Sequence, residues 1–491
     1  MFLKDYIETI IRFVELYGFI FIINIVFSLV IVFIEKRKPI STLLWVMTIN
    51  FLPILGFLLY LILGQDLSRK RMFDKKGKAF KKMNQIAKVQ LSMIKSGKIS
   101  LKEKTKRYVE IIEMFNHGED EILYRNNEIV KFNNGKDMFE SLFKDMRAAK
   151  NSIYLESYIF KSDNLGKKVM DLLVQKAKEG LEVILLVDGM GARGFKPGDR
   201  KKLIANGVKV EIFFPGIFKT INTRINFRNH RKIVVIDHKI GYVGGLNIGD
   251  EYVSENKKFG FWRDTHLRIA GDAVRGLQFR FFLDYRYASD RYDGGFISLL
   301  PEYLYREGAD KEICIVTSGP DTKVNSIRNG YEKIITRAKK NIYIQTPYFV
   351  PDEGLLNALK VASLSGCQVN IMIPRKRDHF FVHWASLSFI GELLQWGAKA
   401  YFYEEGFLHT KVICCDDYIS SVGTANFDIR SFELNFEVNA FVFDAKLNRQ
   451  LVEDFNRDVK KSTELTLSDY ENRNIIIKVK EGISRLLSPV L

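Results

Sequence analysis

Two stretches of this chain, 179 residues apart, carry the same polar residues at the same spacing. Each reads His-x-Lys, four residues, Asp, six residues, Gly, two residues, Asn: His230, Lys232, Asp237, Gly244 and Asn247, then His409, Lys411, Asp416, Gly423 and Asn426. The surrounding pattern repeats with them. "NSIYLESYIF" (151–160) reads as a strand, "LGKKVMDLLVQKAKEG" (165–180) as an amphipathic helix and "LEVILLVD" (181–188) as a buried strand; "NIYIQTPYF" (341–349), "LLNALKVASLSG" (355–366) and "CQVNIMI" (367–373) return in the same order. Alternating strand and helix signals from about residue 133 predict an α/β chain, and the internal repeat of roughly 180–190 residues predicts two domain-sized halves.

The repeat selects two of the seven histidines. A surface strand with a chance histidine would explain one copy, but two copies at matching places leave that reading little room. In a strand, His and Lys two apart project from one face, while the apolar residues after the Lys bury the strand in a sheet. The glycine lets the asparagine approach closely. Each half therefore offers an imidazole beside an ammonium. Such a pair of units suits an anionic phosphodiester, whose oxygens must be neutralised before a nucleophile can reach phosphorus and whose departing alkoxide must be protonated. Two Lys and two Asn supply the neutralisation, one neutral histidine the nucleophile and one protonated histidine the acid. The chain has no G-x-x-x-x-G-K-[ST] loop and no H-E-x-x-H helix, so neither a nucleotide, a metal nor another cofactor is expected.

Lys and Arg exceed Asp and Glu by 75 − 58 = 17, which predicts an anionic partner. The first 65 residues choose among such partners. Residues 17–34 and 40–64 are uncharged apolar runs of bilayer-spanning length separated by "EKRKP", which predicts a transmembrane helical hairpin over 1–65 and not a cleaved signal peptide. The basic stretch "SRKRMFDKKGKAFKK" (68–82) outweighs Lys36, Arg37 and Lys38 of the turn and predicts a cytoplasmic catalytic portion held near anionic lipid. The expected division is thus a hairpin at 1–65, a basic juxtamembrane linker at 66–132, a first half at 133–305 and a second half with a C-terminal helix at 306–491. Cys314, Cys367, Cys414 and Cys415 sit in apolar runs without zinc or disulfide spacing and read as buried hydrophobes.

The twin His-x-Lys-x4-Asp motifs resemble those of the phospholipase D superfamily. Together with "FRNHRKIVVID", "VGGLNIGDEY", "FWRDTHLRI", "QTPYFVPDE", "VGTANFDIRSFELNFEV" and the apolar N-terminus, they make nearly the whole length similar to its bacterial cardiolipin synthases. The resemblance implies two phospholipase D-like α/β/α halves with pseudo-twofold symmetry, meeting at one active site. It also implies a catalytic set of His230, Lys232, Asp237, His409, Lys411 and Asp416, with Asp237 and Asp416 more structural than chemical. His230 would be the nucleophile and His409 the acid, then the base; Asn247 and Asn426 would bind phosphate. An acidic residue downstream of each motif, Asp264 and Glu437, would orient the histidine. The reaction implied joins two phosphatidylglycerol molecules into cardiolipin and glycerol at a bacterial plasma membrane, with anionic lipid and not nucleic acid as partner. One departure stands out: Gly244–Gly245 becomes Gly423–Thr424 in the second copy.

Other features have plainer readings. "DGMGAR" (188–193) looks like part of the motif of the unrelated CDP-alcohol phosphatidyltransferases, but Lys202 stands where a glycine is required, so Asp188 reads as a strand end. His379 and His383 lack a third metal ligand and are expected on a helix by the pocket or its rim; His238 is expected in solvent. The Lys-rich 95–107 reads as a solvated linker or helix face. The tail 474–491 has apolar residues at helical spacing with basic ones between, which fits a helix on the core and one on lipid equally well. A lipid hydrolase admitting water, and a nuclease of the same superfamily, remain the alternatives.

Overall fold

The computed structural model describes residues 2–33, 39–60, 83–119, 121–214, 227–289, 309–322 and 324–488. The chain divides into two units, Met1–Asp74 with Gly216–Phe227 and Lys75–Pro215 with Arg228–Leu491.

In the first unit, helices Phe2–Phe33, Pro39–Phe51 and Pro53–Leu59 follow one another. The first two are joined by polar contacts: Asn24 Nδ2, buried, donates to Ile49 O at 3.0 Å and Asn50 Nδ2, half-buried, to Ser28 Oγ at 3.0 Å. Most of the large apolar side chains around them, Phe19, Phe33, Phe51 and Leu55 among them, are exposed. The expected transmembrane helical hairpin is not supported by the described residues. The second run breaks at Leu52 (φ −124°, ψ 70°), because Pro53 has no N–H and drives its predecessor out of the helical region. Among the described residues no helix is long and apolar enough to cross a membrane. Turn residues 34–38 and the basic stretch 68–82 lie outside the described residues.

The second unit carries the repeat. Strands of its first half are β1 (Leu123–Asn134), β2 (Ser152–Ser157), β3 (Glu182–Asp188), β4 (Lys209–Phe213), β5 (Arg228–Asn229), β6 (Ile233–Ile236), β7 (Ile240–Gly244) and β8 (Phe261–Gly271). Those of the second are β9 (Lys311–Ser318), β10 (Asn341–Gln345), β11 (Phe349–Val350), β12 (Gln368–Pro374), β13 (Lys399–Tyr403), β14 (Gly406–Leu408), β15 (Val412–Cys415), β16 (Ile419–Gly423), β17 (Phe427–Asp428), β18 (Asn435–Phe443) and β19 (Ser462–Leu465). One sheet runs β1-β8-β7-β6-β2-β3-β4, the other β9-β18-β16-β15-β10-β12-β13-β19. Antiparallel pairing of β1 with β9 joins them.

Alternation along β2 builds three layers. Ile153 and Leu155 pack with Met138, Leu142, Val169 and Leu173 of helices Gly135–Ala148 and Asn164–Lys178, while Tyr154 between them faces Phe281 and Phe282 of helix Val274–Ser289 at ring distances of 5.4 and 4.8 Å. The second half repeats the arrangement. Ile342 and Ile344 pack with Ile334 and Leu359 of helices Ser326–Arg337 and Glu353–Leu364, and Tyr343 lies 5.1 Å from Phe455 of helix Ala445–Val459. The strands after each motif lysine, β6 and β15, are wholly buried, and so are the four cysteines, all free thiols.

The C-terminal helices close against helix Phe380–Leu394 through Gly391, where an added Cβ would lie 1.8 Å from the Tyr470 ring. Gly391→Ala should therefore cost roughly 1–3 kcal/mol of stability by overpacking. A thermal midpoint unchanged from the parent chain in the same detergent would contradict this account of the contact.

Candidate active site

Each motif histidine is delivered by a short strand that pairs with the opposite half. β5, just before His230, lies parallel to β18, with Arg228 beside Asn435 and Asn229 beside Phe436, and the His230 N–H donates to Phe436 O at 3.0 Å. β14, just before His409, lies parallel to β8, with Leu408 beside Arg263, and the His409 N–H donates to Arg263 O at 2.8 Å. These pairings decide which carboxylate meets which ring. His230 Nδ1 lies 2.9 and 3.1 Å from the two carboxylate oxygens of Glu437, and His409 Nδ1 lies 2.7 Å from Asp264 Oδ2. The acidic residue downstream of a motif thus orients the histidine of the other motif. With Nδ1–H held by a carboxylate, Nε2 is the ring nitrogen left for chemistry.

The lysines sit immediately behind the imidazoles. Lys232 Nζ donates to His230 O and Lys411 Nζ to His409 O, each at 2.7 Å, and both side chains are buried. Burial lowers Lys232 to about 7 and Lys411 to about 8. It also lowers both histidines to about 4: Glu437 opposes the shift at His230 and Lys232 adds to it, while Lys411 adds to it at His409 and Asp264 opposes it. Burial would raise Glu437 and Asp264, but the facing imidazole and the buried lysines overcome it and hold both below the usual carboxylate range. The site as it stands favours ionised carboxylates beside neutral imidazoles.

The copies differ where their acids differ. A Cβ on Gly245 would lie 2.1 Å from Asp264 Oδ1, so only glycine leaves room for the short carboxylate arm. Thr424, the counterpart of Gly245, donates its hydroxyl to Glu437 Oε2.

Both histidines, Asn247 and Asn426 line one cavity of about 680 Å³. Asn247 is engaged within the fold: its Oδ1 accepts from Ile159 N and its Nδ2 donates to Tyr252 OH, each at 3.0 Å. Asn426 Oδ1 is buried without a partner. Asp237 and Asp416 are not in the lining, which corrects their place in the catalytic set. At φ +52° and +50° they turn the chain between the paired motif strands. Asp237 accepts from the amides of Lys150, Asn151 and Ser152 at 2.7 to 3.0 Å, and Asp416 from those of Lys339, Lys340 and Asn341 at 2.8 to 3.2 Å. Asp tolerates the left-handed region and brings a carboxylate that gathers those donors.

Asp188 ends β3 as read, its Oδ2 accepting from Asn229 N at 2.9 Å just ahead of His230. His379 lies on the cavity wall, whereas His238 is only half-buried and is held by Gln278 Oε1 at 2.7 Å, not left in solvent. Four residues escaped the sequence reading. Tyr158 presents its ring 5.0 Å from His230, Trp262 lies 5.1 Å from His409, and Arg430 lines the cavity. Arg231, fully buried, donates Nε to Glu437 O at 3.0 Å and Nη1 to Asp284 at 2.8 Å. Only Arg231 had a signal, an arginine directly ahead of a lysine and an apolar strand where the second copy has Thr410. Among the described residues no three metal-ligating side chains converge.

Residues 142–267 and 331–459 match the family model described as "Cardiolipin synthase, PLD-like domain", and 22–65 match "Phospholipase D-nuclease N-terminal". The chain is 44% identical over 477 residues to the major cardiolipin synthase ClsA of Bacillus subtilis, covering 96% of this chain and 98% of that one. It is 45% identical over 479 residues to a cardiolipin synthase of Oceanobacillus iheyensis, covering 97% and 99%. The crystal structure of phosphatidylserine synthase from Haemophilus influenzae shares the fold, with a TM-score of 0.57 at 15% identity over 79% of this chain and all of that one.

Because the acids are exchanged between halves, Glu437→Gln should lower the His230 titration further and leave His409 nearly unmoved, and Asp264→Asn should do the converse. Histidine-selective NMR of the detergent-solubilised chain reads both; a shift at the histidine of the acid's own motif would contradict the exchange. Asp237→Ala should act on stability, lowering it by roughly 1–3 kcal/mol through the unsatisfied amides. Its kcat below the new melting point should stay close to that of the parent, and a large loss of kcat without loss of stability would return Asp237 to the catalytic set.

Proposed function

Given that this chain belongs to the cardiolipin synthase family of phospholipase D-like proteins, we propose that it condenses two phosphatidylglycerol molecules into cardiolipin and glycerol through a phosphohistidine. The observation that carries this reading is the pair of imidazoles in one cavity, each with Nδ1 tied to a carboxylate. His230 Nε2 attacks phosphorus of the first lipid, and the bond from phosphorus to the headgroup glycerol oxygen breaks. His409, protonated, gives that oxygen its proton, and glycerol leaves. The second phosphatidylglycerol then presents its headgroup hydroxyl to His409, which takes the proton back as the oxygen attacks phosphorus and the P–N bond breaks. Glu437 and Asp264 stabilise the imidazolium character that develops on each ring. Lys232 and Lys411 put positive charge beside the non-bridging oxygens. Asn426 can turn its amide N–H onto the same oxygens, and Asn247 acts by holding the cavity wall at Ile159.

Membrane attachment belongs to the same proposal. The apolar segments at 17–34 and 40–64 hold the chain at a bilayer, supported by the exposed apolar side chains of the N-terminal helices and by the family match over 22–65. The Lys and Arg of 68–82 put the catalytic unit on the cytoplasmic side.

Lipid mass spectrometry after incubation with phosphatidylglycerol vesicles should find cardiolipin and free glycerol, both lost in His230→Ala and in His409→Ala. Phosphatidic acid without cardiolipin would make the enzyme a hydrolase instead. The pH dependence should be bell-shaped, because one ring must be neutral while the other is charged. Burial lowers both imidazoles in the free protein, whereas a bound diester anion favours the protonated ring and raises it. The alkaline limb of kcat should therefore lie at higher pH than that of kcat/KM, and coincident limbs would count against the pair.

A further inference from the structure

We propose that the C-terminal helix Ile475–Leu486, with the exposed aromatics at the start of helix Phe380–Leu394, is a docking face for an anionic bilayer that sets the mouth of the cavity against the lipid surface. The helix is inside out for a water-exposed element. Ile475, Ile476, Val479, Ile483 and Leu486 fall on one stripe and are 70, 61, 52, 50 and 76% exposed, while Glu481 and Ser484 on the opposite stripe are 2 and 1% exposed. The polar side is engaged by the protein. Glu481 takes a hydrogen bond from Arg473 Nε at 2.8 Å, and Arg485 reaches Glu392 and Ser388 of helix Phe380–Leu394. A helix whose polar face holds it to its own fold presents its apolar face to whatever lies beyond, the reverse of an ordinary surface helix.

The charge around that face selects the occupant. Lys478 is exposed at the flank of the stripe, Lys480 sits 5.2 Å over the Trp384 ring and Arg377 lies 5.6 Å from Phe380. Phe380 and Phe381 are themselves 45% exposed. Apolar side chains framed by Lys and Arg match the boundary between acyl chains and anionic headgroups. A second copy docking the same face would bring these cations together. The face is also continuous with the reaction cavity: His379 and Val382 at the start of one helix, and Ser488 just past the end of the other, belong to its lining. A lipid lying beside the helix would need to move only its headgroup to enter. The purpose assigned to the face rests on the synthase reading above; the face itself does not.

The test uses the full chain in vesicles of equal parts phosphatidylglycerol and phosphatidylcholine. The four native cysteines are buried, so nitroxides can be placed selectively through Ile476→Cys and Ile483→Cys, with Lys178→Cys as a solvent control. Oxygen collisions should be higher and nickel-chelate collisions lower at 476 and 483 than at 178. Water-like collisions at both, or exclusion of both reagents by covering protein such as the N-terminal helices or a second copy, would overturn the proposal. This readout needs no turnover, so it stands or falls separately from the synthase reading. In parallel, the double variant Val479→Asp with Ile483→Asp should raise the apparent KM for vesicle lipid at least about tenfold while leaving kcat/KM for monomeric short-chain phosphatidylglycerol within about twofold. An unchanged vesicle KM would likewise overturn it.

Discussion

The exchange of carboxylates between the halves is the constraint on which this site depends. His230 of the first half is oriented by Glu437 of the second, and His409 of the second by Asp264 of the first. Neither half alone therefore holds an oriented imidazole, and the joint between them is part of the chemistry. The joint is built from backbone: β1 against β9, β5 against β18 and β14 against β8. The last two pairings are only two and three residues long, but they lie directly before the histidines, where a register slip would carry the rings off their acids. Arg231 and Arg263 add side-chain ties across it, Arg231 Nε donating to Glu437 O at 3.0 Å and Arg263 Nε to Asp458 Oδ2 at 2.9 Å.

The price of this arrangement is buried charge. Two lysines, two carboxylates and two imidazoles share a water-poor space, where an isolated charge is strongly disfavoured. Burial depresses the lysines and histidines, yet the carboxylates stay ionised because each faces a ring and a nearby ammonium. An incoming phosphodiester supplies the negative charge that such an excess of donors lacks. Its arrival favours the protonated imidazole, so in the mechanism proposed above binding substrate and arming the acid are coupled electrostatically. The two copies reach this balance with different acids, a short one admitted by Gly245 and a longer one held by Thr424. The broken symmetry gives the two histidines unequal surroundings.

Much of the α/β unit was legible because its signals are local. Apolar alternation in 151–160 and 341–349 placed β2 and β10, and the buried runs after Lys232 and Lys411 placed β6 and β15. Asp237 shows the limit of motif spacing. A residue fixed seven places after a motif histidine looks catalytic, but in a hairpin that count also marks the turn, and there its carboxylate serves backbone amides. The N-terminal runs show a second limit: hydropathy summed over 40–64 ignores that Pro53 interrupts a helix whatever its neighbours' polarity. The tail was undecided between core and lipid because periodicity reveals two faces without saying which one the fold will take.

From the sequence alone followed the duplicated α/β plan, the two histidines with their lysines and phosphodiester chemistry, since each is written in local spacing and residue type; the acids Asp264 and Glu437 came only with the family resemblance. Tertiary structure alone decided that the acids are exchanged, that Asp237 and Asp416 secure turns, and that the last helix faces its apolar stripe outward. The physical reason is distance along the chain. His409 and Asp264 are 145 residues apart and His230 and Glu437 are 207 apart, so their meeting depends on the register of strands contributed by both halves, which no local pattern encodes.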